Sequence, residues 1–411
     1  MQRGFLRSVF GLILLTGLLL LTVVNVWQSN RIERNQIDLL NRVDAVEKTI
    51  ENGDFGARGT NGPSGGIFGA AEPAYVTEAL ADPENVFTRD NSSWLPAEAK
   101  QGGTLNLKMG SDPKGFNFLV ENGADVSEIQ SYVHIALGGY HLKDVTRYRG
   151  ELAYHWTISE DKRVHTLKLR NDFQWHKPVV DWASGRYDWL KGDHPVTAHD
   201  VVFMLDLLMN DQVAGAAPLR SYFDELESYE ALDDHTFRIS FKKPKYMQKV
   251  VVTGLYPLPK FLYAFDEAGE AYEPEVIGKR FEDYWYNPMG LGAGPYKLTR
   301  FEPGVAIELE RNARFPLGGN AMDKIVYSIL KDQNQPPRKL RTGELHLSSL
   351  QPAQYRAEVL EGEADSPFKN GDLKGGEFWS YNYFYIGWNA DQPYFADKRV
   401  RQAMSHAFNA Q

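Results

Sequence analysis

Aromatic side chains between residues 377 and 389 (EFWSYNYFYIGWN) are the most suitable groups in this chain for binding a ligand. In an extended strand alternate residues share a face, so Trp379, Tyr381 and Tyr383 would lie side by side. Each phenol hydroxyl needs a hydrogen-bond partner, which a wet binding cleft supplies and an apolar core does not. These three residues are therefore candidate ligand-binding residues. A core strand with satisfied hydroxyls is the alternative, and the sequence leaves both interpretations open.

Side chains that serve catalysis or metal binding do not form a recognisable pattern. The ten histidines are scattered. His194 and His199 lack the i,i+4 spacing of two metal ligands on one helix face. The sequence contains no Gly-x-Ser-x-Gly elbow and no phosphate-binding loop with its lysine. With no cysteine, disulfides, iron–sulfur clusters and thiolate zinc sites are excluded. We expect no metal, no cofactor and no enzymatic activity.

The glycines of MGLGAGPY (289–296) raise the question of nucleotide binding. A dinucleotide-binding glycine loop follows a strand and opens a helix. Here residues 296–301 and 305–309 alternate as two strands around a Pro303-Gly304 turn, so the glycines are interpreted as turns that enter a strand. The net charge of −9 also disfavours a nucleic-acid partner.

The rest of the chain from residue 102 alternates between strand and helix patterns. A strand is predicted at 104–109, a helix over 127–137 and a hairpin over 150–176. Thr197 and Asp200 have the spacing of a capping box, which places a carboxylate at the positive end of a helix. Residues 177–194 are interpreted as an inserted surface loop, with a lid or a partner contact as the alternative.

The N-terminal part has a different composition. Residues 9–27 carry no ionisable side chain and, as a helix, would reach roughly 28 Å, enough to cross a bilayer. Arg3 and Arg7 precede them, which predicts a cytoplasmic segment 1–8. A weak heptad pattern over 28–51 favours a helical stalk, either a single helix or a coiled coil that makes a homo-oligomer. The glycine-rich residues 52–101 are expected to be a flexible linker.

Three segments then carry a family resemblance: PVTAHDVVFMLDLL (195–208), GAGPYKLTRFEPG (292–304) and YFADKRVRQAMSHAFN (394–409). In this order the chain resembles the extracytoplasmic solute-binding proteins of the peptide-binding type, solute-binding family 5. The resemblance implies an α/β, two-lobed periplasmic-binding-protein type II-like fold, here preceded by the transmembrane helix and stalk. It covers residues 102–411, and members of the family continue further, so we expect the opposite lobe to be incomplete. The implied parts are lobe I (about 102–140 and 250–345), an inserted subdomain (about 141–249) and the start of the opposite lobe (346–411).

The resemblance also implies a function. Family members bind oligopeptides or similar small polar solutes by lobe closure and deliver them to the permease of an ABC transporter. The loop after the first strand contributes to the cleft wall in the family, which makes Glu121, Asn122 and Gly123 candidate ligand-binding residues by position. The expected location is the cytoplasmic (inner) membrane, single-pass, with the solute-binding domain outside. A sensor or scaffold that has kept the fold and lost transport is the alternative.

Retention of the apolar segment can be tested directly. Residues 24–26 (VNV) lack the small-x-small pattern of a signal-peptidase site, so residues 9–27 should remain in the mature protein. Mass spectrometry of the membrane fraction should recover the N-terminal peptide. A mature N-terminus close to residue 27 would show that the segment is a cleaved signal peptide.

Overall fold

The computed structural model describes residues 72–89, 101–141, 144–377 and 386–407. Its helices, numbered α1 to α11, are Ala74–Ala79, Ala124–Val133, Ala198–Met209, Ala217–Arg220, Gln248–Thr253, Lys260–Tyr263, Pro274–Phe281, Gln335–Arg341, Pro352–Tyr355, Pro367–Asn370 and Lys398–Ala407. Its strands, β1 to β10, are Thr104–Met109, Gly138–His141, Asp144–Gly150, Ala153–Ile158, Val164–Leu169, Leu226–Asp233, Thr236–Phe241, Tyr296–Glu302, Ala306–Arg311 and Lys324–Ile329.

One four-stranded sheet has the order β1-β10-β9-β8. Strand β1 lies where the alternating pattern predicts it and pairs in parallel with β10, whereas the other pairs are antiparallel. The predicted hairpin around Gly304 is confirmed as β8 and β9, and Gly304 has a φ of +74°, which glycine adopts without strain. Helix α2 covers this sheet, and its Ile129 is fully buried in the core. The helix prediction over 127–137 is correct in type, but the helix ends at Val133 because His134 is extended.

A second four-stranded sheet, with the order β4-β5-β7-β6, is antiparallel throughout and lies within the range predicted for the inserted subdomain. Helix α3 packs against β6 and β7. Trp156, Leu167 and Phe237 lie opposite one another on β4, β5 and β7 and are completely buried. Burial of these large apolar side chains is the main stabilising contribution.

The predicted capping box at the start of α3 is confirmed, and its carboxylate does more than cap the helix. Asp200 accepts hydrogen bonds from the Thr197 N–H at 2.9 Å, the Lys260 N–H at 3.0 Å and the Trp175 indole N–H at 3.3 Å. Burial raises the pKa of the Asp200 carboxyl, and these donors act in the opposite direction. The side chain therefore joins three separate stretches of chain at one buried point.

Residues 72–89 correct the expectation of a flexible linker over 52–101, because this part of the range is folded. We call it the strap. Its Val86 N–H donates to the Trp156 carbonyl at 2.8 Å, and its Thr88 N–H donates to the Tyr148 carbonyl at 2.9 Å. The strap therefore lies between β3 and β4 and joins the β2–β3 hairpin to the second sheet.

Two side chains fix the strap in place. Phe87 is 2% exposed and contacts the Trp156 ring at 5.4 Å between centroids. A Cβ on Gly138 would lie 2.7 Å from the Phe87 ring, so a glycine is required there for the ring to fit. The Asn85 carboxamide donates to the Ala79 and Tyr154 carbonyls and accepts the Trp156 N–H. The glycine-rich composition of the linker did not reveal these contacts because they are made with residues far along the chain.

The predicted transmembrane segment and stalk, residues 9–51, lie outside the described residues. Within the ranges that the structure does describe, no helix has the length and apolar character needed to cross a bilayer.

Replacement of Phe87 by alanine tests the strap. Because the ring is buried against Trp156, Phe87→Ala should lower the free energy of unfolding by roughly 3–5 kcal/mol. Thr77→Ala, at an exposed position of the same strap, is the matched control and should change stability by less than about 0.5 kcal/mol. Chemical denaturation of the full-length protein gives both values. Equal stabilities of the two variants would mean that the strap is not part of the folded core.

Candidate functional site

The loop that follows β1 is held by a pair of buried asparagines. The Asn117 side-chain amide donates to Asn287 Oδ1 at 2.7 Å, and the Phe116 N–H donates to the Asn287 carbonyl at 3.0 Å. Asn117 also accepts the Leu119 N–H at 3.1 Å. Since Asn117 is 1% exposed and Asn287 is 8% exposed, these hydrogen bonds are shielded from water. They fix the loop at the edge of the first sheet.

The glycine segment 290–294 lies directly against the end of α2. A Cβ on Gly292 would approach the Val133 carbonyl oxygen to 2.0 Å, and one on Gly294 would approach the His134 carbonyl oxygen to 2.6 Å. The Gly294 N–H donates to the Val133 carbonyl at 2.7 Å. Strand β8 does begin just after these glycines, as expected, but the close approach of two backbones is the reason that they must be glycine.

Two buried histidines lie beside this contact. His176 donates from Nε2 to the Gly294 carbonyl at 2.9 Å, and the His134 ring contacts Phe118 with centroids 5.0 Å apart. Burial lowers the pKa of His134 to about 4 and that of His176 to about 3, so both imidazoles are neutral at physiological pH. The side chains packed at this contact are therefore neutral polar and aromatic groups.

The candidates Glu121, Asn122 and Gly123 lie together at the end of this loop. The Asn122 side-chain amide donates to the Gly215 carbonyl at 3.1 Å, and the Glu121 carbonyl accepts the Gln130 side-chain amide at 2.8 Å. Gly123 is the N-cap position of α2. Asn122 thus connects the loop to the segment around Gly215, while Glu121 is only half-buried. The other candidates, Trp379, Tyr381 and Tyr383, lie outside the described residues.

The chain leaves the first sheet beside β1. The His346 N–H donates to the Asn106 carbonyl at 2.9 Å, and His346 Nδ1 accepts the Asn106 N–H, also at 2.9 Å. This two-point contact fixes the start of the segment that follows the first sheet. His346, Asn117 and the buried histidines are not among the site residues predicted from the sequence. The available signal was a polar residue inside an apolar run, as with Asn117 between Phe116 and Phe118.

The insertion 177–194 is packed against the chain between Phe261 and Tyr286. The Tyr187 ring stacks on Trp285 with centroids 5.4 Å apart, and its hydroxyl donates to Glu267 at 2.7 Å. Leu190 is 1% exposed, and His194 stacks on Phe261 at 3.7 Å. These contacts give the aromatic residues of the insertion a structural role on the outside of the domain.

Comparison with known proteins defines the class. Residues 147–411 match the model of the bacterial extracellular solute-binding proteins, family 5 (Middle), and the chain therefore belongs to this family. A putative ABC transporter peptide-binding protein of Brucella ovis is 25% identical over 320 residues, which are 77% of this chain and 53% of the relative. The oligopeptide-binding protein AppA of Bacillus subtilis is 25% identical over 216 residues, 52% of this chain and 36% of the relative. The chain spans about half the length of the first of these relatives.

Solved structures share the fold. The structure of AppA from Bacillus subtilis with a nonapeptide matches with a TM-score of 0.55 at 20% identity. The match covers 76% of this chain and 55% of the AppA chain. The structure of the substrate-binding protein CtaP of Listeria monocytogenes matches with a TM-score of 0.51 at 25% identity. This match covers 62% of this chain and 46% of the CtaP chain. The predictions of the family and of a periplasmic-binding-protein type II-like α/β fold are thereby confirmed.

The buried histidines predict a pH dependence of stability. Their folded-state pKa values lie below the ordinary value near 6.5, so stability is complete above about pH 6.5 and is lost as the pH falls towards about 4. Between about pH 7 and pH 4, the free energy of unfolding of the wild type should fall by roughly 3 kcal/mol more than that of His134→Gln. Thermal and chemical unfolding across this range measure the difference.

His199→Gln is the control for this experiment, because His199 is exposed and pairs with Asp234 at 3.3 Å. The free energy of unfolding of His199→Gln should change with pH in the same way as that of the wild type. Parallel profiles for the wild type and His134→Gln would contradict a neutral, buried His134.

Proposed function

We propose that the protein is a membrane-tethered extracytoplasmic receptor that binds oligopeptides or similar small polar solutes and delivers them to the permease of an ABC transporter. Membership of solute-binding family 5 is the observation that carries this function. The matched relatives from Brucella ovis and Bacillus subtilis support peptides as the ligand class, since their names describe peptide-binding proteins. The apolar segment 9–27 supports the tether.

The ligand would bind against the loop 116–123 and the aromatic segment around Tyr381. The loop is suited to this role because the Asn117–Asn287 hydrogen bond and the Asn122–Gly215 hydrogen bond hold its two ends. A wall that is already ordered loses little conformational entropy when a ligand binds. Lobe closure over the ligand would require movement only beyond the His346 contact, where the chain leaves the first sheet.

The aromatic residues would supply area and adaptable polar contacts. Trp379, Tyr381 and Tyr383 each combine a flat ring, which has few rotamers to freeze, with a polar tip that suits a water-filled pocket. Peptide backbones offer amide groups at regular spacing, so such a wall accepts many sequences. The expected specificity is for peptide length and backbone rather than for particular side chains.

Tyr381→Ala in the full-length protein tests this site. Loss of one ring contact and one hydrogen bond should weaken the binding of short peptides by roughly 1–2 kcal/mol, about five- to thirty-fold in Kd, with cooperative unfolding retained. Isothermal titration calorimetry with a mixed panel of short peptides measures the affinity. Tyr246→Ala is the matched control, because Tyr246 is 93% exposed, and it should bind like the wild type.

A core role for Tyr381 gives the opposite pattern: a loss of roughly 3–5 kcal/mol in stability and an unchanged affinity in the protein that folds. If the wild type binds none of the peptides, peptide binding itself is wrong.

A further inference from the structure

A basic segment lies on the surface of an otherwise acidic chain. Residues 242–249 (KKPKYMQK) contain four lysines and no carboxylate, whereas the whole chain has a net charge of −9. At its centre Tyr246 is 93% exposed, the most exposed large hydrophobic residue among those that the structure describes. An exposed aromatic ring flanked by lysines is an unusual combination on a surface that contacts only water.

Part of this positive charge is neutralised locally and part is not. Lys243 pairs with Glu225 at 2.8 Å, and Lys245 pairs with Asp224 at 2.7 Å. Lys242 and Lys249 are exposed and form no ion pair with any described residue. The segment therefore keeps a net positive charge next to Tyr246.

The basic segment lies near the point where the strap leaves the domain. Helix α5, which begins within the basic segment at Gln248, contacts β2, and β2 pairs with β3. On β3, the Tyr148 carbonyl accepts the Thr88 N–H of the strap at 2.9 Å. Next to Thr88, Arg89 forms an ion pair with Glu72 at 3.7 Å. Both ends of the strap therefore lie on the β3 side of the domain, as does the basic segment.

This placement identifies a partner. The 71 residues before Glu72 include the apolar segment 9–27, so the chain that would reach a membrane departs from this side. We propose that Lys242, Tyr246 and Lys249 contact the surface of a bilayer that contains anionic phospholipids, a role that rests on the tether proposed above. Lysine ammonium groups would bind lipid phosphates, and the Tyr246 ring would lie at the level of the headgroups. The domain would then be oriented on the membrane instead of rotating freely on its tether.

The absence of cysteine from the sequence allows a direct measurement. Tyr246→Cys in the full-length protein takes one fluorophore, and brominated lipids in nanodiscs quench it only when it lies at the membrane. Val276→Cys, at an exposed position on α7, outside the basic segment and the strap in sequence, is the matched control. The nanodiscs contain either phosphatidylcholine alone or phosphatidylcholine with about 30% phosphatidylglycerol.

With anionic nanodiscs, quenching at position 246 should be at least about fivefold stronger than at position 276, and it should decline as salt is added. The combined change Lys242→Gln and Lys249→Gln should reduce the population at the membrane roughly tenfold, with thermal unfolding unchanged. Because both lysines act through their charge, the combined change Lys242→Arg and Lys249→Arg should leave the quenching as strong as with lysine.

Other outcomes overturn the lipid contact. Equal quenching at positions 246 and 276, or equal quenching with and without phosphatidylglycerol, excludes it while leaving the tether and peptide binding intact. Protection of position 246 only when a permease is added assigns the surface to an acidic protein instead. Failure of the protein to co-elute with nanodiscs excludes the tether, and the lipid contact with it.

Discussion

The buried hydrogen bond between Asn117 and Asn287 is the constraint on which the site depends. Asn287 also donates to the Phe281 and Glu282 carbonyls at 2.6 and 3.1 Å, so its carboxamide is fully used. The Glu282 carboxylate in turn accepts the Gly215 N–H at 2.7 Å. The Gly215 carbonyl then accepts a hydrogen bond from the Asn122 side-chain amide. This closed network ties the loop after β1 to the segment around Gly215, and the loss of the Asn117–Asn287 hydrogen bond would leave a buried carboxamide unsatisfied.

Close backbone contact and the strap complete this frame. Gly292 and Gly294 allow the strand that becomes β8 to touch the end of α2, and Gly138 allows Phe87 of the strap to touch β2. In each case the missing side chain permits an approach that any Cβ would prevent. The first sheet, the β2–β3 hairpin and the second sheet are therefore held at fixed positions by backbone contacts as well as by apolar packing.

A rigid frame of this kind suits the proposed receptor, which would work by closure. The loop 116–123 and the glycine segment 290–294 are held by hydrogen bonds within the chain, and the chain leaves the first sheet at His346. In the proposed receptor, motion would be confined to the connection beyond His346, so that ligand binding need only stabilise the closed arrangement. Contact of the basic segment with a membrane would leave this connection free to move.

The sequence by itself determined the family, the α/β class and the local elements whose signals are short in range. Strand β1, the Thr197–Asp200 capping box and the β8–β9 turn at Gly304 depend on neighbouring residues, and alternation, cap spacing and turn chemistry predict them. The family resemblance indicated that the loop with Glu121, Asn122 and Gly123 belongs to the candidate site. It did not indicate what each of these residues does.

Only the tertiary structure decided the long-range contacts. Asn117 and Asn287 are 170 residues apart, and Asn106 and His346 are 240 residues apart, so nothing local marks them as partners. The strap was predicted to be flexible because its glycine-rich surroundings dominate the composition, yet Phe87 packs on Trp156, which follows much later in the chain. A sequence pattern reports the preferences of adjacent residues. Burial and hydrogen bonding depend on which distant segments the fold brings together, and these contacts define the site.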